Sequence, residues 1–426
     1  MSSAVAGDGE HDKRCLMVAF HYPPCSTSSG YLRSEKFVRY LPEFGWQPEV
    51  LTAGVAAYGD GSEQHKPLPH VHRTYAFDAR DKLSWRGKYL ELLALPDRWW
   101  SWLPGAIWRG RQLFRATHYQ LIWSTYPTPT TLLVGYGLKV LTGRPWVVDL
   151  RDPVIDEIHP RGRLKRWAFR KIEALAVRRS DTLVTTTTGA RQLYLTRYPM
   201  LDENRVHCIG NGFDEADFVG LPAISTRPAA GVKKLRLIHS GTLYPVERNP
   251  VPFLNALARL KQEGCLASQP FEVLLRATGH DDWLRGLIAE RNLGEWVRLA
   301  PAIGYRQALQ EMVEADGLLV FQAANCPAQI PAKLYEYLRA GNPVFALADA
   351  VGDTASLLRE GGVAFLVDLT DEEAIAKVWV DFIERLAAGS ISAPDQGWVA
   401  GFSRRRRAQS LAAVFDQLLE SGHGFE

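Results

Sequence analysis

The 426-residue chain is short of features that would each announce a function. No G-x-G-x-x-G follows its first apolar run and no G-x-x-x-x-G-K-[ST] occurs, which sets aside dinucleotide enzymes and P-loop NTPases. No His/Cys set has zinc-ligand spacing, and no G-x-S-x-G marks a hydrolase nucleophile. An Asp-x-Asp pair, of the kind that holds a divalent cation against a diphosphate, is also missing. Cysteine is sparse: Cys15, Cys25, Cys208, Cys265 and Cys326 are odd in number and unpatterned. That excludes a disulfide framework and fits a reducing compartment. Charge of either sign is not in excess, with 50 Lys+Arg against 47 Asp+Glu. Bulk electrostatics therefore argues against a nucleic-acid partner. The first fourteen residues carry no signal-peptide run, and no stretch has the uninterrupted apolar length of a membrane span. These absences predict a cytoplasmic protein.

The length exceeds one ordinary core and suits two α/β domains. Short apolar runs alternate with amphipathic stretches. In the first half, CLMVAF (15–20), PEVLTA (48–53), LIWSTY (121–126), WVVDL (146–150) and DTLVTTT (181–187) read as buried strands. Helices are predicted at 31–44, 130–142, 163–179 and from about 189. Residues 214–234 lose periodicity and gather Gly, Pro and Ser, as a linker does. A second alternation follows, with strands at 235–241, 271–279, 297–302, 317–322, 343–348 and 364–369. The resulting plan is a polar, disordered leader (1–14), an N-terminal domain (15–213), the linker, a C-terminal domain (235–400) and a C-terminal helix (401–426) able to pack back on the first domain. Near-continuous apolar strands between helices mean parallel sheets covered on both faces. The predicted fold class is thus α/β, with two doubly wound Rossmann-like domains facing a central cleft. Ligands of such sheets bind beyond the carboxyl ends of the strands.

Several loops there carry candidate residues. HYPPCSTSSG (21–30) ends in the small residues Ser28, Ser29 and Gly30, which let a ligand approach the backbone and the next helix N-terminus; the plain alternative is an ordinary βα loop. DLRDP (149–153) places Asp152 where a carboxylate can bind a substrate hydroxyl; the alternative is a surface pair with Arg151. GNGFD (210–214) is adequately explained as a turn before the linker. In SGTLYPVERNP (240–250), Gly241 permits a tight turn and Arg248 offers a forked donor to a diphosphate, unless it is simply solvated. Gly279 in RATGHD provides another close backbone approach. In AQIPAKLYEYLRAG, Pro331 suits a first helical turn, and Lys333 with the free amides beside it forms an anion site. Glu336, one turn on, can accept from two vicinal hydroxyls such as those of a ribose; the alternative pairs it with Lys333 or Arg339.

In this order, AFHYPPCSTSSGYLRSEKFVRYLPEFGWQPEVLTA, STYPTPTTLLVGYGLKVLTGRPWVVDLRDP, VHCIGNGFDEADF, SGTLY and QIPAKLYEYLRAGNPVFALA resemble the GT-B fold glycosyltransferases of the retaining group-4 class, bacterial surface-polysaccharide type. The resemblance spans nearly the whole chain. It implies a nucleotide-sugar donor in the C-terminal domain and an acceptor, lipid-linked or saccharide, on the N-terminal domain. It implies a hexosyltransferase-like retaining enzyme with no cofactor and no metal. Carried over by position, the donor-binding set is Gly30, Gly241, Arg248, Gly279, Gln329, Ile330, Pro331, Lys333 and Glu336, with Asp152 and Arg248 as the catalytic pair. The sequence departs from the family pattern in two places. Ala328, followed by Gln329, stands where the first Glu of Glu-x7-Glu touches the transferred sugar, and the usual phosphate-binding Lys shortly after the Arg has no match.

PDRWWSWLPGAIWRGRQLFR (96–115) interleaves Trp and Arg, which suits the headgroup layer of an anionic membrane. Trp99, Trp100, Trp102 and Arg109 are its predicted membrane-interface residues, against the alternative of a core helix with a solvated basic side. RGRLKRWAFRK (161–171) extends the basic face. Peripheral attachment to the inner face of the plasma membrane follows as an expectation. Two other functions fit the fold: a sugar-nucleotide epimerase, and a catalytically inactive GT-B module that only binds.

Overall fold

The computed structural model describes residues 13–25, 30–58, 68–83, 91–157, 159–222, 234–246, 248–267, 269–322 and 324–422. Most of the predicted leader, Ser28, Ser29 and 223–233 of the predicted linker lie outside the described residues. The chain divides into two compact units. The first comprises 1–186, 194–209 and 404–426, and the second 187–193 and 210–403.

The first unit carries strands β1 (Lys13–Val18), β2 (Trp46–Ala53), β3 (Val71–Thr74), β4 (Leu121–Thr125), β5 (Trp146–Leu150), β6 (Thr182–Thr185) and β7 (Val206–Cys208). Its helices are α1 (Tyr31–Tyr40), α2 (Ala79–Lys82), α3 (Trp102–Ala116), α4 (Pro129–Thr142), α5 (Arg163–Arg179) and α6 (Thr188–Arg197), the early residues of α6 grouping with the second unit. The seven strands form one parallel sheet in the order β3-β2-β1-β4-β5-β6-β7. Every residue of β4 and β5 is buried, as a sheet covered on both faces requires.

The second unit carries the helix α7 (Glu215–Phe218), then β8 (Leu235–Ser240), α8 (Val251–Gln262), β9 (Phe271–Arg276), α9 (Asp281–Glu290), β10 (Val297–Ala300) and α10 (Tyr305–Glu314). It continues through β11 (Gly317–Gln322), α11 (Ala332–Ala340), β12 (Val344–Ala348), α12 (Asp353–Glu360), β13 (Phe365–Val367), α13 (Glu372–Ala387) and α14 (Gln396–Ala400). Its six strands are parallel in the order β10-β9-β8-β11-β12-β13. Trp379 of α13 anchors one face of this sheet, with the rings of Phe253, Phe345 and Phe271 at 5.0, 5.1 and 5.4 Å.

The last helix, α15 (Arg404–Gly422), belongs to the first unit and packs on α1. Phe415 meets the Trp46 ring at 5.0 Å, and Asp416 accepts from Trp46 Nε1 at 3.0 Å and Lys13 at 2.7 Å. The Arg405–Glu43 pair, at 2.5 Å, adds an exposed contact of small worth.

Both sheets reverse direction of strand addition once: between β1 and β4 in the first, and between β8 and β11 in the second. These switch points splay the following loops apart and open a crevice at the carboxyl ends. β5 and β11 match the predicted ranges, β1 and β2 begin two residues earlier than predicted, and β1, β4, β6, β8, β9, β10 and β13 end one to three residues early, because the last residues of those apolar runs turn into the loops. β3, β7, α2, α14 and, inside the predicted linker, α7 went unread in the sequence, and α3 was offered only as an alternative. β3 is only four residues long and half-buried, so it lacks a strong apolar signal. α3 hides within the Trp-rich segment.

Candidate functional site

The second unit's switch point gathers the predicted donor-binding residues on two loops. After β8 the chain turns at Gly241, whose φ of +116° is unfavourable for any side chain; a Cβ there would also lie 2.7 Å from Lys333 Nζ. The ammonium thus fills the space that a glycine leaves. Lys333 Nζ lies 3.1 Å from His239 Nε2, and His239 Nδ1 faces the Leu319 carbonyl at 2.9 Å. Burial, then the charge of Arg248, holds Lys333 well below the ordinary lysine range, while Glu336 pulls the other way.

Arg248 lies half-buried over the Tyr244 ring, with its Cζ 5.8 Å from the centroid. Its Nε is buried without a hydrogen-bond partner. Such an orphan donor costs free energy unless something absent from the protein pairs with it. Gln322 Oε1 and Asn325 Oδ1, at the end of β11 and in the loop beyond it, are likewise buried and unpaired. Gly279 follows β9 with φ +74° and packs against Thr242.

The loop 326–331 leads into α11. Pro331 is the N-cap residue, one position earlier than predicted, and no side chain caps the helix. The first-turn amides are consequently available to an anion. Gln329 is pinned by its backbone, its N–H to the Cys326 carbonyl at 3.2 Å and its carbonyl to Thr354 Oγ1 at 3.0 Å. Ile330 packs against the core, and Ala328 is half-buried. Glu336 accepts from Tyr305 Oη at 2.7 Å, and Arg339 turns to Glu215 at 2.8 Å. Neither His239 nor Tyr305 was singled out in the sequence. His239 sits inside an apolar strand run, a position more often read as a satisfied core histidine.

The first unit's switch point is built differently. Arg33 of α1 is buried against Asp149 of β5, its Nε and Nη2 donating at 3.0 and 2.8 Å, and Nη2 also reaches the Ile209 carbonyl at 2.8 Å. Thr125 Oγ1 adds a third donor to Asp149 at 2.9 Å. Asp149, to which the sequence assigned no role, is therefore a structural core residue. Arg151 turns inward, donating to the Tyr126 carbonyl at 2.5 Å and to the Gly30 carbonyl. Gly30 has ordinary helical backbone at the N-cap of α1 (φ −59°). Asp152 is exposed just past β5. His21, three residues past β1, was missed: burial first, then the charges of Arg151 and Arg98, push its imidazole down to about 4. It is neutral near pH 7 and can accept a hydrogen bond from a ligand hydroxyl. Its signal in the sequence was its place directly after the first strand.

The predicted membrane-interface set needs correction. Trp102 is fully buried, donating from Nε1 to Thr74 Oγ1 at 2.7 Å, and Trp99 is buried against Phe20 at 4.7 Å. Trp100 is half-buried beside Phe77, and Arg109 is half-buried near Gln112 and His72. These side chains pack inward because the segment covers the edge formed by β2 and β3. Among the described residues, the exposed tryptophans are instead Trp108 on α3 and Trp167 on α5, at 66% and 57% exposure. Among the described residues, no helix is long and apolar enough to cross a membrane, and no group of three His, Cys, Asp or Glu is placed to hold a metal ion.

Residues 32–212 match the glycosyl transferase 4-like domain family. Among solved structures, the chain resembles sucrose-phosphate synthase from Thermosynechococcus elongatus at 16% identity and TM-score 0.66, over 97% of this chain and 100% of that one. It also resembles an E. coli trehalose-6-phosphate protein bound with UDP-2-fluoro glucose (11% identity, TM-score 0.61, 95% and 99% covered). UDP-GlcNAc 2-epimerase from Methanocaldococcus jannaschii is similar at 12% identity and TM-score 0.55, over 95% and 99%. No curated protein sequence matches. The chain therefore has the GT-B fold, and its residues 32–212 are similar to a glycosyl transferase 4-like domain.

Proposed function

We propose that the protein transfers a sugar from a nucleotide-sugar donor to a lipid-linked or saccharide acceptor in the synthesis of a surface polysaccharide (capsule, exopolysaccharide or lipopolysaccharide). The observation that carries this reading is the second unit's switch point. An orphaned Arg248 Nε, the Lys333 ammonium and an uncapped helix N-terminus gather there, with Glu336 one turn along the helix. Two cations and a set of amides suit a diphosphate; a carboxylate beside them suits the vicinal hydroxyls of a ribose. The E. coli neighbour was solved with UDP-2-fluoro glucose, a ligand of that chemistry.

In this reading the bond between the anomeric carbon and the phosphate oxygen breaks, and the oxygen keeps the electron pair. Arg248, Lys333 and the α11 amides stabilise the charge that builds on the leaving diphosphate. The reading therefore calls for no metal. The acceptor hydroxyl bonds to the anomeric carbon on the face the phosphate leaves, so configuration is retained, and its proton passes to the departing phosphate. Asp152 and the neutral His21, at the first unit's strand ends, orient the acceptor hydroxyls. With alanine at 328, the sugar is recognised by groups other than a glutamate there.

The membrane partner moves with the corrected surface. The adjoining helices α3, α4 and α5 expose Trp108, Val140, Leu141, Leu164 and Trp167 among Arg111, Arg115, Arg170 and Lys171. A groove of ≈ 860 Å³ along α5 is lined by Arg166, Arg170, Lys171 and Arg178 beside Trp167. Apolar side chains set among cations suit an anionic lipid surface.

The test is a panel of nucleotide sugars incubated with the protein and a bacterial lipid extract, with chelator present. Acceptor-dependent release of nucleoside diphosphate is expected. Binding without turnover would favour the inactive module. Interconversion of the sugar nucleotide without an acceptor would favour the epimerase.

A further inference from the structure

Lys333 is poorly explained by the donor site alone. It is a half-buried cation next to a second cation, and its hydrogen-bond partner is an imidazole rather than a carboxylate. The imidazole is constrained. His239 is fully buried in β8, packed edge-on by Phe321 at 5.0 Å and 81°. Its Nδ1 lies 2.9 Å from the Leu319 carbonyl of the neighbouring strand β11. A carbonyl accepts only, so Nδ1 carries the proton. In a neutral ring Nε2 then bears the lone pair, and it lies 3.1 Å from Lys333 Nζ. A doubly protonated ring would set two cations at that distance. Burial and the Lys333 charge indeed hold the imidazole well below its ordinary value.

We propose that His239 is a positioning residue of the donor site: through its Nε2 lone pair it fixes the Lys333 ammonium in front of Gly241, where that ammonium acts with Arg248 as the second cation of a diphosphate clamp. This rests on the donor-site reading above. It also accounts for the departure seen in the sequence. The lysine expected shortly after the arginine is replaced by one arriving from α11, and a buried histidine takes over its alignment. The groups that face Lys333 are His239 on β8, Arg248 on the loop after β8 and Glu336 on α11, while the Tyr337 hydroxyl on α11 is engaged by the Ser240 amide at 2.8 Å. Their charges leave a net positive site that a diphosphate completes.

Two substitutions separate the ring's contact with Leu319 from its contact with Lys333. His239→Asn keeps a donor near the Nδ1 position and removes the acceptor for Lys333. His239→Gln keeps an acceptor near the Nε2 position and removes the donor to Leu319. The readout is equilibrium binding of UDP, GDP and ADP by calorimetry, with circular dichroism to check folding. For the nucleotide that binds best, Lys333→Met and His239→Asn are each expected to weaken binding about tenfold, the size of one charge-assisted hydrogen bond. His239→Gln should stay within about threefold of wild type, since the acceptor survives. The Asn/Met double variant should bind no worse than Lys333→Met alone, because His239 acts through Lys333. Additive losses, or wild-type affinity in His239→Asn, would overturn the proposal.

Nitrogen-15 NMR of the wild-type imidazole gives a check that no folding defect can spoil. Nε2 should be unprotonated at neutral pH and shift on nucleotide addition; a protonated Nε2 would refute the tautomer and the proposal with it. If Arg248→Ala loses binding while the His239 and Lys333 variants do not, only this inference fails. If wild type binds none of the three nucleotides, or Arg248→Ala changes nothing, the donor-site reading fails first.

Discussion

The two sheets share a topology and differ in what stands at their carboxyl edges. In the first unit the cations are spent on the protein itself. Arg33 is saturated by Asp149 and the Ile209 carbonyl, and Arg151 by the carbonyls of Tyr126 and Gly30. In the second unit the cations are left short: Arg248 Nε has no partner, and Lys333 rests on a neutral imidazole. The first edge is a finished structural network with neutral or exposed polar groups around it, suited to hydroxyls. The second is a network missing its anion.

The largest effect should come from breaking the finished network. Asp149→Ala strands the buried Arg33 guanidinium and is expected to cost about 3–5 kcal/mol of unfolding free energy, measured by urea denaturation. Arg248→Ala should do the reverse: a stability change within about 0.5 kcal/mol, but a loss of about 2–3 kcal/mol in nucleoside diphosphate binding. If both variants lose stability equally, the contrast between the edges is false.

Glu336→Ala sharpens the second edge. It should weaken ribonucleotide binding by about 1–3 kcal/mol. With a 2′,3′-dideoxynucleotide the same substitution should make little difference, because the hydroxyls it serves are gone. An equal loss for both nucleotides would remove the ribose from Glu336.

A pH titration probes both edges at once. His21 and His239 are held below their ordinary value in the folded chain, so the unfolded chain binds more protons as pH drops. Stability is therefore full above about pH 6.5 and falls as pH drops below it, for His21 down to about 4. The slope is at most about 1.4 kcal/mol per pH unit for each group. His21→Gln should flatten the profile, and an unchanged profile would show that His21 is not held neutral.

The smallest stability effect is expected on the helix surface. Trp108→Ala and Trp167→Ala should each shift unfolding by no more than about 0.5 kcal/mol. Their combination should reduce binding to vesicles of anionic lipid, measured by flotation, and leave zwitterionic vesicles unbound as before. Undiminished flotation would place the membrane contact elsewhere.

How much of this was legible depended on the range of the signal. Parallel strands such as β4 and β5 show as apolar runs, because both faces of each are buried. Helix ends showed through Gly143 and Gly341, both in the left-handed conformation that ends a helix. The α11 site was readable because its loop, its proline, its lysine and Glu336 are consecutive. What escaped was long-range. Nothing local tells that Arg33 meets Asp149 across 116 positions, or that His239 meets Lys333 across 94. The tryptophans misled for a related reason. Their composition fits a membrane interface, but only the packing of α3 against its neighbours separates buried Trp102 from exposed Trp108.

The central claim is that the second sheet's carboxyl edge is a nucleotide-sugar site completed by an anion. Its most direct test is calorimetric titration of a panel of uridine, guanosine, adenosine and thymidine diphosphate sugars into the wild-type protein and Arg248→Ala. At least one donor should bind the wild type, and Arg248→Ala should lose that binding. Binding that survives Arg248→Ala, or no binding of any member of the panel, would contradict it.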